Sequence, residues 1–348
     1  MPSPATQRRL VRALLSLPSP VLRLMAGGGV VYRGGRTLDP RLQFLAAQAR
    51  NGAPMTTLSP GDARRASAQG LAVLAGDPEP GVRVEPLMIE GAGRAIPARV
   101  YRPEVQDPEA PLMVYAHMGG GVIGDLETCD AFCGLLARVG RGPVLSVDYR
   151  LAPEHRFPAG LDDVLAAYRF GRDNAARFGA PVAQAAIGGD SMGGNFAAAI
   201  CQDLKRAGEP QPVLQLLIYP AVDVACARAS MTTYAGAFPL SKTLMDWFMG
   251  LYRGAGDSAL DPRLSPLAAE ELSGLAPAIV VAAGFDPLLD QGEAYARRLK
   301  AAGVPVTYRR HDSLAHGFTA FTGAVPAAQV ACREIAGLVR ESFERRIV

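Results

Sequence analysis

The stretch that most constrains this chain runs from Ala185 to Ala199, A-A-I-G-G-D-S-M-G-G-N-F-A-A-A. An apolar run from Ala183 to Ile187 breaks at Gly188-Gly189, and Asp190, Ser191, Met192, Gly193 and Gly194 follow. Beyond them an alanine-rich pattern sets Phe196, Ile200 and Leu204 at i, i+4 and i+8. This reads as strand, sharp turn and helix with a serine at the apex, and Gly189-x-Ser191-x-Gly193 has the spacing of a nucleophile elbow. Such a turn holds the serine in a strained backbone conformation, and side chains two residues to either side would collide. The helix that begins there aims its N–H groups and partial positive charge at the same spot. A serine cannot act alone, so its partners must lie elsewhere in the chain.

From residue 82 the chain alternates. Residues 82–90 and 96–102 read as paired strands around Gly91-Ala92-Gly93, and apolar runs at 111–117, 143–149, 183–187, 213–219, 277–285 and 304–310 as further strands. Helical patterns lie at 125–139, at 161–178, from the elbow to near Gly208, at 288–302 and at 326–346. Near-continuous apolar strands between helices predict an α/β fold, a mostly parallel sheet covered on both faces. In such sheets sites form at the carboxyl ends of strands.

Two regions stand outside the alternation. Residues 1–80 read as helices without strands, with Asp39-Pro40 and Ser59-Pro60 each setting a capping side chain before proline at the first helical position. Arg8-Arg9 before L-V-R-A-L-L-S-L mimics a secretion signal. However, Arg12 and Arg23 interrupt the apolar runs and Pro18 and Pro20 split them, so neither a signal core nor a membrane span is expected. A basic amphipathic helix on a membrane surface is the weaker reading. Residues 221–265 carry Met245, Trp247, Phe248, Met249, Leu251 and Tyr252, a helical insertion rich in large apolar groups. With residues 1–80 it would form a lid over the strand ends; the plainer reading is a surface excursion.

A serine nucleophile needs a base that titrates near neutrality, and the chain has four histidines, His117, His155, His311 and His316. His316, in L-A-H-G-F just past the last strand, sits at a strand end. His311 closes that strand pattern and reads as a local pair with Asp312, while His155, between Glu154 and Arg156, reads as a surface or structural residue. The third group must be a carboxylate that fixes the imidazole tautomer. Asp286 ends the run A-I-V-V-A-A-G-F, directly before Pro287, and Asp290 lies one helical turn on. The strand-end rule selects Asp286, which would also cap the helix that follows. The order Ser191, Asp286, His316 is the nucleophile–acid–base order of α/β hydrolases. An oxyanion needs donors: the strand at 111–116 runs into H-M-G-G-G-V-I-G-D, whose glycines let backbone N–H groups approach a ligand oxygen, and the N–H of Met192 is the second source. No G-K-[ST] is present, so a nucleotide cofactor is not expected.

Bulk properties narrow the class. The 348 residues, 49% hydrophobic and 20% charged, suit one large α/β domain with an accessory element, or two domains. A net charge of +3, from 36 basic and 33 acidic residues, with no basic stripe among aromatics, argues against nucleic acid. The five cysteines are odd in number and form no C-x-x-C; Cys129 and Cys133 read as core thiols, and a reducing, cytoplasmic setting is the expectation.

At these residues the chain resembles the bacterial hormone-sensitive-lipase-like esterases, family IV, which carry H-G-G-G before a G-D-S-A-G-G elbow. The matching motifs are H-M-G-G-G-V-I-G-D, D-Y-R-L-A-P-E-H, G-D-S-M-G-G, G-F-D-P-L-L-D and H-G-F, and the likeness begins at about residue 80. It implies an α/β-hydrolase fold with an eight-stranded, mostly parallel sheet. The core would occupy 81–220 and 266–348, under a helical cap from 1–80 and 221–265. The implied activity is hydrolysis of short-to-medium acyl esters, with no cofactor or metal and with a small-molecule ester as partner, monomer and homodimer both remaining open. It implies Ser191, Asp286 and His316 as the triad and His117 as a brace for the oxyanion loop. Met118 departs from the family's first glycine and Gly121 from its usual aromatic. Counted from His117, the oxyanion glycines fall on Gly119 and Gly120, or on Gly120 and Gly121 if the loop slides by one; the first register keeps Gly124-Asp125 at its family distance. Met192 replaces the elbow alanine, which leaves its N–H intact and reshapes the pocket floor. Two other readings are a non-catalytic receptor on this scaffold, which in the plant receptors goes with loss of the triad histidine, and a serine peptidase or amidase.

Overall fold

The computed structural model describes residues 4–345. Its N-terminal part holds four helices, α1 (Pro4–Leu15), α2 (Ser19–Met25), α3 (Pro40–Ala49) and α4 (Pro60–Leu74). The last two start as their sequences predict: Asp39 accepts from the Arg41 N–H, Ser59 accepts from the Asp62 N–H, and a proline opens each helix. The expectation of helices alone is corrected by a small antiparallel hairpin, β1 (Tyr32–Arg33) and β2 (Arg36–Thr37). Two residues per strand are too few to leave a period in the sequence.

The other strands form one sheet of eight: β3 (Val82–Gly91), β4 (Arg94–Pro103), β5 (Leu112–Ala116), β6 (Val144–Val147), β7 (Ala185–Asp190), β8 (Gln215–Ile218), β9 (Ala278–Phe285) and β10 (Val306–Ala315). Their spatial order is β10-β9-β8-β7-β5-β6-β4-β3. β4 pairs antiparallel with β3 and β6, and every other neighbouring pair is parallel. Every residue of β5 to β9 is buried, which is why these strands read as unbroken apolar runs.

The helices lie on two faces. α5 (Asp130–Gly140) and α11 (Pro326–Glu344) pack with Met113 and Tyr115 of β5. α6 (Ala159–Asp173), α7 (Met192–Arg206) and α10 (Leu289–Ala301) pack with Leu112, Val114 and Ala116 of the same strand. Alternation along one strand thus feeds two cores. Within 221–265 lie α8 (Ala229–Thr233) and α9 (Lys242–Tyr252). Among the described residues no helix is long and apolar enough to cross a membrane.

Element ends differ from expectation at several points. The helix expected at 125–139 is a 3-10 turn, Leu126–Cys129, capped by Asp125, followed by α5. That expected at 161–178 ends at Asp173, and a separate 3-10 turn, Ala175–Phe178, follows. β10 runs on to Ala315, past the expected end at 310, with a register shift between His311 and Ala315. α11 ends at Glu344, and Arg346, assigned to it from sequence, lies outside the described residues.

One buried carboxylate ties this frame to the site. Asp163 of α6 is fully buried and accepts from the backbone N–H, Nε and Nη2 of Arg150 and from Nη1 of Arg94. Arg150 belongs to the loop after β6, in which the Ala152 N–H donates to the Gly121 carbonyl at 2.8 Å. Asp163→Asn leaves both guanidiniums without their anion and is expected to cost about 3 kcal/mol of unfolding free energy, read by urea titration.

Candidate active site

Three strand ends converge. Ser191 follows β7, Asp286 follows β9 and His316 follows β10, and all three are buried. The His316 Nε2 lies 2.9 Å from the Ser191 Oγ. Its Nδ1 lies 2.8 Å from Asp286 Oδ2. A carboxylate only accepts, so the neutral ring donates from Nδ1 to Asp286 and accepts the Ser191 hydroxyl proton at Nε2. The second oxygen of Asp286 accepts from the Leu288 N–H at 2.8 Å. The carboxylate therefore both orients the histidine and caps the turn into α10. Asp290, the alternative, instead accepts from the Ser230 N–H.

The backbone of Ser191 has φ 56 and ψ −113, a conformation rare for any residue with a side chain. Its neighbours make room for it. A Cβ on Gly193 would strike the Ala116 carbonyl, and one on Gly189 would strike the Gly193 backbone. Strand β5 and the two glycines thus pack backbone to backbone, with α7 starting directly beneath.

The glycine loop after β5 is a tight turn in which the Val122 and Ile123 N–H groups both donate to the Gly119 carbonyl. Gly119 and Gly120 have φ 132 and 64. A Cβ on Gly119 would meet the Ile123 carbonyl. Gly119, Gly120, Met192, Ser191 and His316 all line one cavity; Gly121 instead faces the Tyr252 ring. Residues 119–124 do spell G-x-G-x-x-G, but this turn leads into a 3-10 segment and not the long helix of a dinucleotide site. His117 is fully buried beneath it, stacked on Tyr149 with ring centroids 4.2 Å apart. Its Nδ1–H donates to the Met118 carbonyl at 2.7 Å, and its own carbonyl accepts from the Tyr149 hydroxyl.

The cavity, about 490 Å³, is bounded by α4 (Ala66, Gly70, Leu71), α9 (Leu244, Met245, Phe248, Met249) and the loop carrying Phe238 and Pro239. Met118 and Met192 both face it. Trp247 packs on Phe248 and is not part of its wall.

Residues 113–320 match the family model described as the α/β hydrolase fold. The chain is 43% identical to the carboxylic ester hydrolase LipN of Mycobacterium tuberculosis over 316 residues, 88% of this chain and 84% of that one. It is 38% identical to an ethyl acetate hydrolase of Pseudomonas putida, over 76% of this chain and 85% of that one. A serine-to-alanine mutant of LAE6, an α/β-hydrolase enzyme from the metagenome of Lake Arreo, superposes with a TM-score of 0.85 at 42% identity, covering 88% of this chain and 99% of that one. The chain belongs to the hormone-sensitive-lipase-like α/β hydrolases. It is a carboxylic ester hydrolase.

Within this hydrolase the other histidines fall away from the serine. His155 is exposed, as expected. His311 does not pair with Asp312, correcting that expectation: Asp312 binds Arg310 and Arg36, and the His311 ring meets Phe318 at 5.4 Å. β10 continues past His311, so its side chain points where the strand directs it. Cys129 and Cys133 are buried free thiols, and Cys129 touches the Ser146 hydroxyl. Asp190, Tyr219 and Thr319 cluster behind the elbow, both hydroxyls donating to Asp190 Oδ2, and none of the three is among the residues expected at the site. A charged residue inside an apolar strand was the available signal for the first. The lid expected from residues 1–80 and 221–265 names no wall residues, because an apolar helix face looks alike whether it meets core or cavity; α4 and α9 supply them.

Burial pushes the His117 imidazole down to about 4, against a hydrogen bond to the Met118 carbonyl that favours the proton. An unfolded histidine binds its proton near 6.5, so between those values the unfolded chain holds more protons and stability falls as pH drops. His117→Asn keeps a donor toward Met118 but does not titrate. It is expected to lose less melting temperature than the parent between about pH 7 and about pH 4.5, measured by circular dichroism.

Proposed function

We propose that this hydrolase cleaves short-to-medium acyl esters through an acyl-enzyme on Ser191, with His316 as base and Asp286 as its orienting acid. The observation that carries the reading is the unbroken chain from the Ser191 Oγ through both His316 nitrogens to Asp286, with steps of 2.9 and 2.8 Å. In the first half-reaction the Ser191 Oγ attacks the ester carbonyl while Nε2 of His316 takes the hydroxyl proton. Asp286 holds the Nδ1–H tautomer and steadies the imidazolium. The N–H groups of Gly119, Gly120 and Met192 hold the oxyanion; the cavity position of the first two, and the outward position of Gly121, favour this register. The tetrahedral species then breaks its bond to the alcohol oxygen, which leaves with the proton from His316. Water repeats the sequence: His316 takes its proton, the hydroxide adds to the acyl carbon, and the acid departs as Ser191 regains its proton.

Residues 1–80 and 221–265 act as the cap in this scheme, since α4 and α9 supply much of the cavity wall over the strand ends. An apolar cavity of about 490 Å³ suits a modest acyl chain. We place the enzyme in a reducing, cytoplasmic setting, with Cys129, Cys133, Cys201 and Cys332 held as buried thiols. A peptidase would use the same triad, and matched ester and amide substrates separate the two.

Ser191→Ala is expected to lower kcat by roughly 10³-fold or more, and a fluorophosphonate probe is expected to label the parent on the peptide holding Ser191. Residual turnover near the parent rate would sink the mechanism. Among p-nitrophenyl esters, acetyl to octanoyl substrates are expected to outrun palmitoyl in kcat/KM.

A further inference from the structure

We propose that Asp190 is a positioning residue for His316, acting through the hydroxyls of Thr319 and Tyr219 to clamp the turn that carries the base onto the strand that carries the nucleophile. The inference rests on reading Ser191, His316 and Asp286 as the triad. Asp190 is the last residue of β7 and immediately precedes Ser191. Its Oδ2 accepts from the Tyr219 hydroxyl and from Thr319 Oγ1, each at 2.9 Å, and the two hydroxyl oxygens lie 2.6 Å apart. Three strands' ends thus meet in one knot: β7 through Asp190, β8 through Tyr219, and the turn after β10 through Thr319.

The placement of Thr319 gives the knot its consequence. It lies three residues past His316, inside the 3-10 turn Phe318–Phe321 that follows Gly317. Ala315, just before His316, is fixed by pairing with Phe285 of β9. His316 is therefore suspended between two anchors, one in the sheet and one at Thr319. The 2.9 Å contact from its ring to Ser191 depends on both. Tyr219 adds a wall: its ring lies 4.7 Å from the imidazole, tilted by 54°, and edge-on to Phe318 at 5.2 Å. Misplacing a catalytic group by about 1 Å costs on the order of a hundred-fold in rate, so a slack anchor here is read directly in kcat.

Fold stability alone gives little reason for a carboxylate in this place. Asp190 is buried, and among the described residues no arginine or lysine bonds to it and its Oδ1 has no hydrogen-bond partner. Burial raises its carboxyl above the ordinary range, and the hydroxyls of Thr319, Tyr219 and Tyr115 and the charge of His316 offset only part of that rise. The titratable groups facing it are Tyr115 on β5, Tyr149 after β6, Tyr219, Cys133 on α5, Cys332 on α11 and His316. Of these, His316 alone becomes positive on protonation.

The test compares Thr319→Val, Thr319→Ser and Asp190→Asn with the parent on a p-nitrophenyl ester, with kcat, KM, the pH profile of kcat/KM and the melting curve recorded for each. Thr319→Val keeps shape and loses the hydroxyl; kcat is expected to fall about ten- to hundred-fold with KM little changed, and Thr319→Ser is expected to restore most of it. Asp190→Asn is expected to lower kcat likewise with KM little changed, because the amide cannot accept from both hydroxyls as the carboxylate oxygen does. Parental kcat in folded Thr319→Val would overturn the inference, as would a loss that Thr319→Ser fails to restore. Should Asp190→Asn not fold, the two Thr319 variants decide alone. Ser191→Ala, run alongside, separates the readings: if it stays active the triad assignment has failed, whereas if it is inactive and Thr319→Val is not impaired, only the role of Asp190 has.

Discussion

The backbone of Ser191 is the constraint on which the rest of the site depends. A non-glycine residue at φ 56 and ψ −113 carries strain of about 1–3 kcal/mol, which persists only where the surroundings over-determine it. Here both flanking peptide groups are pinned. The Ser191 N–H donates to the Ile218 carbonyl at the end of β8, and the Ser191 carbonyl accepts from the N–H groups of Asn195 in α7 and Ala221 after β8. Gly189 and Gly193 close the space from below against Ala116. Release of any of these contacts lets the serine relax into an ordinary turn, and its hydroxyl drops out of reach of the imidazole.

Around that fixed point the topology brings the other groups without long-range accident. β7 is central, β8 and β9 follow on one side and β10 lies beyond them, so Asp286 and His316 arrive in sequence along one edge of the sheet. The turn that carries His316 is also held from the N-terminal region. The Asp39 N–H donates to the Ser313 carbonyl, and Arg36 pairs with Asp312 just before the histidine. After it, the Gly76 N–H donates to the Thr322 hydroxyl and the Gly323 N–H to the Leu74 carbonyl. Hydrogen bonds thus tie the end of α4, which lines the cavity, to the turn that follows His316.

Much of this was legible from the amino-acid sequence because it rests on strand ends and backbone geometry. Buried parallel strands leave unbroken apolar runs, and a residue such as Asp286 or His316 that ends one is placed by topology before any side chain is considered. The resemblance supplied the choice of oxyanion glycines, which spacing alone left between two registers. What was not legible depends on contacts between distant side chains. Thr319 lies in an unremarkable F-T-A-F, and nothing local says that its hydroxyl meets Asp190, 129 residues away. The apolar pattern ends at 310, where R-R-H-D-S breaks it, yet β10 runs on to Ala315, because an edge strand tolerates charge that a central strand does not. Trp247, one of the large apolar groups of the 221–265 insertion, packs on its neighbour Phe248 and not on the cavity.

The cavity wall separates two kinds of demand. At the reacting atoms the structure is rigid: glycine backbones in close contact, a serine with both peptide groups held, an imidazole bonded at both nitrogens. A few residues away it is soft. Met55, Met118, Met192, Met231, Met245 and Met249 all line the cavity. Methionine is unbranched and polarisable, so it fills irregular space around differently shaped apolar groups with little penalty in rotamer energy. Met118 stands where the family has a glycine, and its sulfur rests against Gly317, beside the base. The departure leaves the donors of the loop in place and adds a deformable side chain next to them. Fixed donors and a yielding wall together suit an enzyme that aligns the ester carbonyl strictly while accepting variation in what is attached to it.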